Sequence, residues 1–282
     1  MERHPRGPLG GRALVLAVVV ASSSLLLMSP AAAERGDPDA YGYVWVDSRV
    51  PSPIVPYNWI DIVPTGTRLA LDHERCTFEL PMGFQFRFYG TLIDRLYVCP
   101  NGFLSFSISG FEPLPPIPDP ADPNDRIVGL GMDLDPSASG SGGVYIKSYT
   151  ATTPRRFIVT WDGVYREFTT RKETFQIILD QNQTSKDGRI LFQYKSLVDI
   201  GTPLVGIENR TGSSGLAYPG VLGNGLAVAF LPPSDAGLPP DTLTATPASI
   251  APGSATQGAA NVPMARLDLA AGSNEVDVAA IR

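Results

Sequence analysis

Between Thr77 and Tyr89 the sequence TFELPMGFQFRFY places Phe78, Leu80, Met82, Phe84, Phe86 and Phe88 at every second position. Successive side chains of a strand point to opposite faces, so this spacing gives one apolar face and one polar face carrying Thr77, Glu79, Gln85 and Arg87. No helix uses a period of two. A strand packed against a core on one side is therefore expected here, with a bend at Pro81-Met82-Gly83 where proline and glycine disturb the ladder.

The rest of the chain extends that pattern. With 28 Gly and 27 Pro among 282 residues, helix-breakers are well above the roughly 12% of average usage, and no stretch after residue 34 carries a 3.6-residue apolar repeat. Short β-prone runs stand at Tyr43–Val46 and Trp59–Ile62. Further strands are read at Arg95–Cys99, Phe103–Ile108, Ile127–Leu134, Val144–Tyr149, Arg156–Trp161, Thr174–Asp180, Arg189–Tyr194, Leu204–Ile207 and Leu226–Leu231. Hairpin-type turns at Pro100-Asn101-Gly102, Lys186-Asp187-Gly188 and Asn224-Gly225 separate them. The fold class expected is all-β, an antiparallel β-sandwich over residues 42–231.

Residues 34–41 (ERGDPDAY) read as a flexible entry to that domain. Residues 232–241 (PPSDAGLPPD) hold four prolines and read as a semi-rigid linker. Beyond it, Leu243–Ile250, Ala265–Ala270 and Asn274–Ile281 look strand-like, with Pro247 confining the first to an edge. Some 40 residues can hardly bury a sandwich core alone. Residues 242–282 are therefore expected to begin a second β-domain that is cut short, so further domains of the same polypeptide are expected.

Residues 1–33 have the pattern of a secretory signal. Arg3, Arg6 and Arg12 precede an apolar run from Ala13 to Met28, and Ala31-Ala32-Ala33 offers a small-residue exit. A membrane anchor is the alternative, but the run is shorter than the ~20 residues needed to span the hydrocarbon core. No membrane insertion is expected after cleavage. Removing these residues takes away three Arg and one Glu, moving the formal charge from −6 to −8. So acidic a chain, with basic runs no longer than Arg155-Arg156 and Arg171-Lys172, is not expected to bind nucleic acid. Cys76 and Cys99 are the only cysteines. In an oxidising compartment they are expected to pair, the alternative being two separate buried thiols.

Catalytic motifs are scarce. His73 is the only histidine after residue 33, set in a polar Asp-His-Glu-Arg turn, and no G-x-S-x-G, H-E-x-x-H, P-loop or Rossmann glycine pattern is present. Zinc sites built from several His or Cys cannot be assembled. Carboxylate chemistry stays open, since two acids flanking a sugar bond serve glycosidases. Asp133 and Asp135 share a strand face at i and i+2 and offer oxygen ligands to calcium; otherwise they are an acidic strand end running into the turn 137–143. The loop Asp119–Asp125 adds Asp119, Asp122, Asn124 and Asp125 without EF-hand spacing. No other cofactor is expected. Tyr57, Trp59, Trp161 and Tyr165, with Trp45, are candidates for a sugar-stacking platform or else for the core. Asn182-Gln183-Thr184 and Asn209-Arg210-Thr211 match the N-glycosylation pattern.

Three strings carry a family resemblance: Phe84–Gly90 (FQFRFYG), Leu96–Phe106 (LYVCPNGFLSF) and Ile127–Asp135 (IVGLGMDLD), the last followed by Gly143-Val144-Tyr145. Over roughly residues 78–165 the chain resembles the nidogen-like extracellular domain of large secreted bacterial and archaeal proteins. It departs from the family at Gly129–Met132, where Ala-Pro and an aromatic are frequent, and at Cys99, where a small polar residue is usual. The resemblance implies a non-catalytic adhesion or matrix module, attached to protease, adhesin or repeat domains, with no active site to carry over. The expected function is thus a secreted, non-enzymatic module of a larger extracellular or cell-surface protein that contacts an extracellular protein or glycan through its loops. A carbohydrate-binding accessory domain of a secreted hydrolase is the alternative, and a carboxylate hydrolase a weaker third.

Overall fold

The computed structural model describes Met1, residues 35–49, 55–107, 114–182 and 186–233, and the backbone of 244–248 and 266–270. Ala33–Arg282 forms one compact unit. The expected signal at 1–33 and most of the linker lie outside the described residues. So does most of the expected second domain.

Sixteen strands are described, numbered in chain order: β1 Val44–Asp47, β2 Thr67–Arg68, β3 Leu80–Phe88, β4 Thr91–Cys99, β5 Phe103–Ser105 and β6 Arg126–Gly131. Then come β7 Leu134–Asp135, β8 Gly143–Tyr149, β9 Arg156–Arg166, β10 Lys172–Asp180 and β11 Arg189–Ser196. The last are β12 Leu204–Glu208, β13 Gly215–Ala217, β14 Leu226–Leu231, β15 Thr244–Ala248 and β16 Arg266–Ala270. One sheet runs β1-β14-β11-β10-β9-β8-β2 with β7 beside β9, and the other runs β13-β12-β6-β5-β4-β3. Every pairing is antiparallel. The chain is an all-β sandwich. Strands β15 and β16 form a separate two-stranded sheet, with Pro247 opposite Leu267.

The core follows the alternation. Met82, Phe84, Phe86 and Phe88 of β3 face Phe157, Val159, Phe175, Ile177, Phe192 and Phe230 of the opposite sheet. Each fully buried side chain of this size contributes about 1.5–3 kcal/mol relative to exposure. Gly83, at φ +83°, sits where the β3–β4 register shifts, which is the bend expected from Pro81-Met82-Gly83. Phe78 departs from its periodic series. It is 94% exposed, because the strand begins two residues later and Thr77 instead donates to Val98 O (2.9 Å).

Two buried aromatic donors tie the sheets together. Trp161 Nε1 donates to Pro100 O at 3.0 Å, and Tyr194 Oη donates to Gly129 O at 2.7 Å. Gly129 permits that approach, since a Cβ there would lie 2.8 Å from Ile177 Cγ1. A larger residue here would force the Ile177 side chain to shift. Cys76 and Cys99 are disulfide-bonded, fastening the segment before β3 to the end of β4.

Two expectations are corrected. Trp59–Ile62 is not a strand. It belongs to an extended segment, residues 55–62, laid across the outer face of the larger sheet over Ile158, Ile178, Ala227 and Ala229. Its main chain pairs with side-chain amides instead of a neighbouring strand. Asn58 N–H donates to Gln193 Oε1 (2.7 Å) and receives Gln193 Nε2 on its carbonyl (2.8 Å). Ile60 repeats the exchange with Gln176, at 3.2 and 3.0 Å. A β-like composition thus served a cover that reaches the sheet through glutamines.

Nor do residues 35–41 hang as a flexible entry. Asp39 Oδ1 accepts the N–H groups of Tyr41 (3.0 Å), Gly42 (2.8 Å) and Tyr43 (2.9 Å). Gly36 N–H donates to Trp45 O at 3.1 Å, and Arg35 bridges to Val46. This segment folds back along the free side of β1. The free side of β3 is likewise covered: Gly188 N–H donates to Arg87 O (2.8 Å), Gln181 Nε2 to Gln85 O (2.8 Å) and Ser148 Oγ to Met82 O.

Candidate functional site

Strands β9 and β10 end in a turn over Glu167–Arg171 that projects from one end of the sandwich. The turn is fixed by its own groups. Thr169 N–H and Oγ1 both donate to Arg166 O (3.0 and 2.9 Å), and Arg171 N–H donates to Thr169 Oγ1 (3.2 Å). Its base is anchored by Arg166, whose guanidinium pairs with the buried Glu173 at 3.0 Å and donates to Val198 O at 2.7 Å. At the tip Phe168 adopts φ +57° and is 96% exposed. Left-handed backbone is uncommon for a bulky residue, so the tip holds an aromatic ring outward at a conformational cost.

Beside the tip lies a groove of about 620 Å³ lined by Asp135, Tyr165, Phe168 and Arg171 among others. Strand β7 supplies one wall, with Asp135 opposite Tyr165 in the ladder with β9. Lys172 Nζ stands 5.2 Å from the centre of the Tyr165 ring. Glu167 N–H donates to Asp133 O at 3.0 Å, drawing the two acids together. A hydrogen bond with Asp133 pushes the Glu167 carboxyl up to about 7, helped by desolvation and the Asp133 charge and opposed by His73. Such contact is closer than the ~5–9.5 Å that separates the two carboxyls of glycosidases.

The residues expected to form sites are dispersed differently from the expectation. Asp135 and Tyr165 do meet in the groove. Asp135 Oδ1, however, accepts Ser137 N–H (2.8 Å), Ser137 Oγ (2.6 Å) and Ala138 N–H (3.0 Å), so it organises the turn 135–138. Asp133 is exposed and turned to Glu167, not joined to Asp135. No group of three or more His, Cys, Asp or Glu fit to hold a metal ion occurs among the described residues.

Of the aromatic candidates, Trp161 takes the core alternative: it is wholly buried and stacked on Phe175 at 4.7 Å. Tyr57 and Trp59 lie half-buried on the covering segment, Tyr57 against the Val44 and Ala227 cluster and Trp59 beneath Lys195 Nζ at 5.2 Å. Trp45 is buried against Tyr218 at 5.0 Å. The four-residue platform is therefore not assembled. Phe168, Glu167 and Arg171 are the groove residues that the sequence reading passed over. A lone phenylalanine in the polar run Arg166–Arg171 was the available signal.

No curated protein and no solved structure matches this chain significantly. The family model described as NIDO related matches residues 56–222. Strands β1 and β14 fall outside that match, yet they complete the larger sheet. A disulfide together with this match points to an extracellular setting. With more than half its length under the match, the chain belongs to the NIDO-related family.

Proposed function

We propose that this chain is a secreted, non-catalytic adhesion module that holds an extracellular protein partner at the β9–β10 end of the sandwich. The observation that carries this reading is Phe168, an aromatic ring 96% exposed on a hydrogen-bonded turn beside a groove. Aromatic residues in well-defined pockets carry a large share of interface binding energy, and a rigid tip limits the entropy lost on docking. The test is pull-down and surface-plasmon binding of the full chain against purified extracellular matrix and cell-surface proteins. Phe168→Ala should weaken the captured interaction by at least about tenfold, the ~1.4 kcal/mol expected of a modest hot spot. Capture that is indifferent to Phe168 would remove this end of the molecule from the proposal.

A second reading, a carbohydrate-binding accessory domain, is favoured by Tyr165 lining the same groove as Phe168. Two aromatic faces can stack on neutral sugar rings. It predicts shifts of the Tyr165 and Phe168 ring signals on titration with neutral oligosaccharides, where the protein-adhesion reading predicts none.

A further inference from the structure

A second recess lies away from the groove, at the covered side of β3. Where Gln181 and Gly188 reach over to the carbonyls of Gln85 and Arg87, they leave a pocket of about 350 Å³. Its lining includes Gln85, Arg87, Arg155, Gln181 and Lys186, with Asn182 and the half-exposed Leu92. Three cations thus converge, and among the described residues the lining holds no acid.

None of the three forms an ion pair within 4 Å among the described residues, whereas the adjacent Arg156 is paired with Asp180 at 3.0 Å. Arg87 Nη1 donates to Gly90 O and Arg155 Nε donates to Thr150 O (3.1 Å), both neutral carbonyls. Arg87 Nε is buried with no partner among the described residues. Asp187 lies close by, accepting Tyr41 Oη (2.8 Å) and Gly90 N–H (2.7 Å) and making no ion pair with the three among the described residues. In a chain of net charge −6, a recess lined by three cations with no direct ion pair among the described residues is a local exception.

We propose that this recess recognises an acidic sugar unit, with Arg87, Arg155 and Lys186 holding its carboxylate or sulfate group and the amides of Gln85 and Gln181 meeting its hydroxyls. Guanidinium groups bind planar and tetrahedral oxyanions through paired N–H donors. Side-chain amides donate and accept at once, which suits a hydroxyl-bearing ligand. The volume is near the lower end of small-ligand pockets, room for one or two sugar rings. The overall negative charge disfavours a nucleic acid as the source of the anion. The site is independent of the β9–β10 groove, so either can fail without the other.

The test is calorimetric titration of the full chain at low ionic strength with a glucuronate-containing oligosaccharide, a sulfated oligosaccharide, a neutral glucose oligosaccharide and hexaglutamate. Binding of one or both acidic sugars without the neutral one is expected, and their relative affinities tell carboxylate from sulfate. Arg155 and Lys186 are exposed, so Arg155→Ala/Lys186→Ala should fold normally, with an unchanged thermal midpoint, and lose at least about tenfold in affinity. Higher salt should weaken the complex further. Absence of binding to both acidic sugars, equal binding of the neutral sugar, or an affinity untouched by the double substitution would overturn the proposal. Hexaglutamate binding as tightly would overturn the sugar assignment and make the recess an acidic-peptide site.

Discussion

Arg126 and Glu208 meet at 2.7 Å across β6 and β12 with neither side chain exposed to solvent. Arg126 Nη2 also holds Pro115 O (3.0 Å) and Pro116 O (2.9 Å), while Glu208 Oε1 accepts Asp119 N–H (2.6 Å). The pair therefore ties the proline-rich stretch 115–119 to the smaller sheet. Burial pushes the Glu208 carboxyl up, and the Asp119 N–H and Arg126 hold it down. Removing one partner leaves an uncompensated buried charge. Arg126→Met or Glu208→Leu alone should cost about 3–5 kcal/mol in urea unfolding, and the two together less than either alone. Additive losses in that double-mutant cycle would show that the ion pair is not the relevant unit.

Among the described residues, Gln176 and Gln193 alone pair the main chain of residues 58–60 with the sheet beneath it. Replacing both by Leu keeps the apolar packing but strands four polar groups of the cover. Each net hydrogen bond is worth about 1 ± 0.5 kcal/mol, so the double variant, which loses four, should lose about 2–6 kcal/mol. Hydrogen exchange at Asn58 and Ile60 should accelerate by more than exchange in the β9–β10 core. Uniform acceleration throughout would mean the cover has no separate opening.

The Glu167–Asp133 contact makes the tip sensitive to pH. Glu167 titrates at about 7 in the folded chain against an ordinary value near 4.5, so protonation favours the folded contact. The stabilisation is complete below the ordinary value and is lost as pH rises through about 7. Phe168 and Glu167 amide resonances should shift with a midpoint near neutrality, and Glu167→Gln should abolish the transition. A midpoint near 4.5 in the native chain would show that the two carboxyls do not share a proton.

Reduction tests the disulfide. Cys76 and Cys99 stand 23 residues apart in sequence, a loop whose closure contributes roughly 3 kcal/mol in the chain-entropy model. Cys76→Ser/Cys99→Ser should lower the thermal midpoint by a corresponding amount and remove the effect of dithiothreitol. Unchanged stability would place the constraint in packing around Phe103 and Val128 instead.

Much of the sandwich was legible because burial on one face imposes period two on β3, while β10, buried on both faces, still reads as a short β-prone run between polar turns. The strands β2 and β13 were not, since two or three residues carry no period. Trp59–Ile62 and Trp161 show a subtler limit. Both look β-like and aromatic, but only tertiary context places one on a cover and the other in the core. The site residues suffer the same limit more severely. Arg87, Arg155 and Lys186 come from three separate stretches of a net acidic chain, so no local run announces their convergence. Phe168 was visible as a letter, but its exposure depends on the left-handed turn beneath it.

The covered rims of the two sheets bear on how such a module can exist at high local concentration. Strand β3 is nine residues long and would otherwise template the addition of another chain, but Gly188, Gln181 and Ser148 already occupy its carbonyls. The opposite limits offer little purchase: β1 is backed by Arg35 and Gly36, β2 has two residues and β13 three. Copies crowded on a surface or strung along one polypeptide are thus shielded from fusing rim to rim into fibrils, and assembly is left to their loops and side chains.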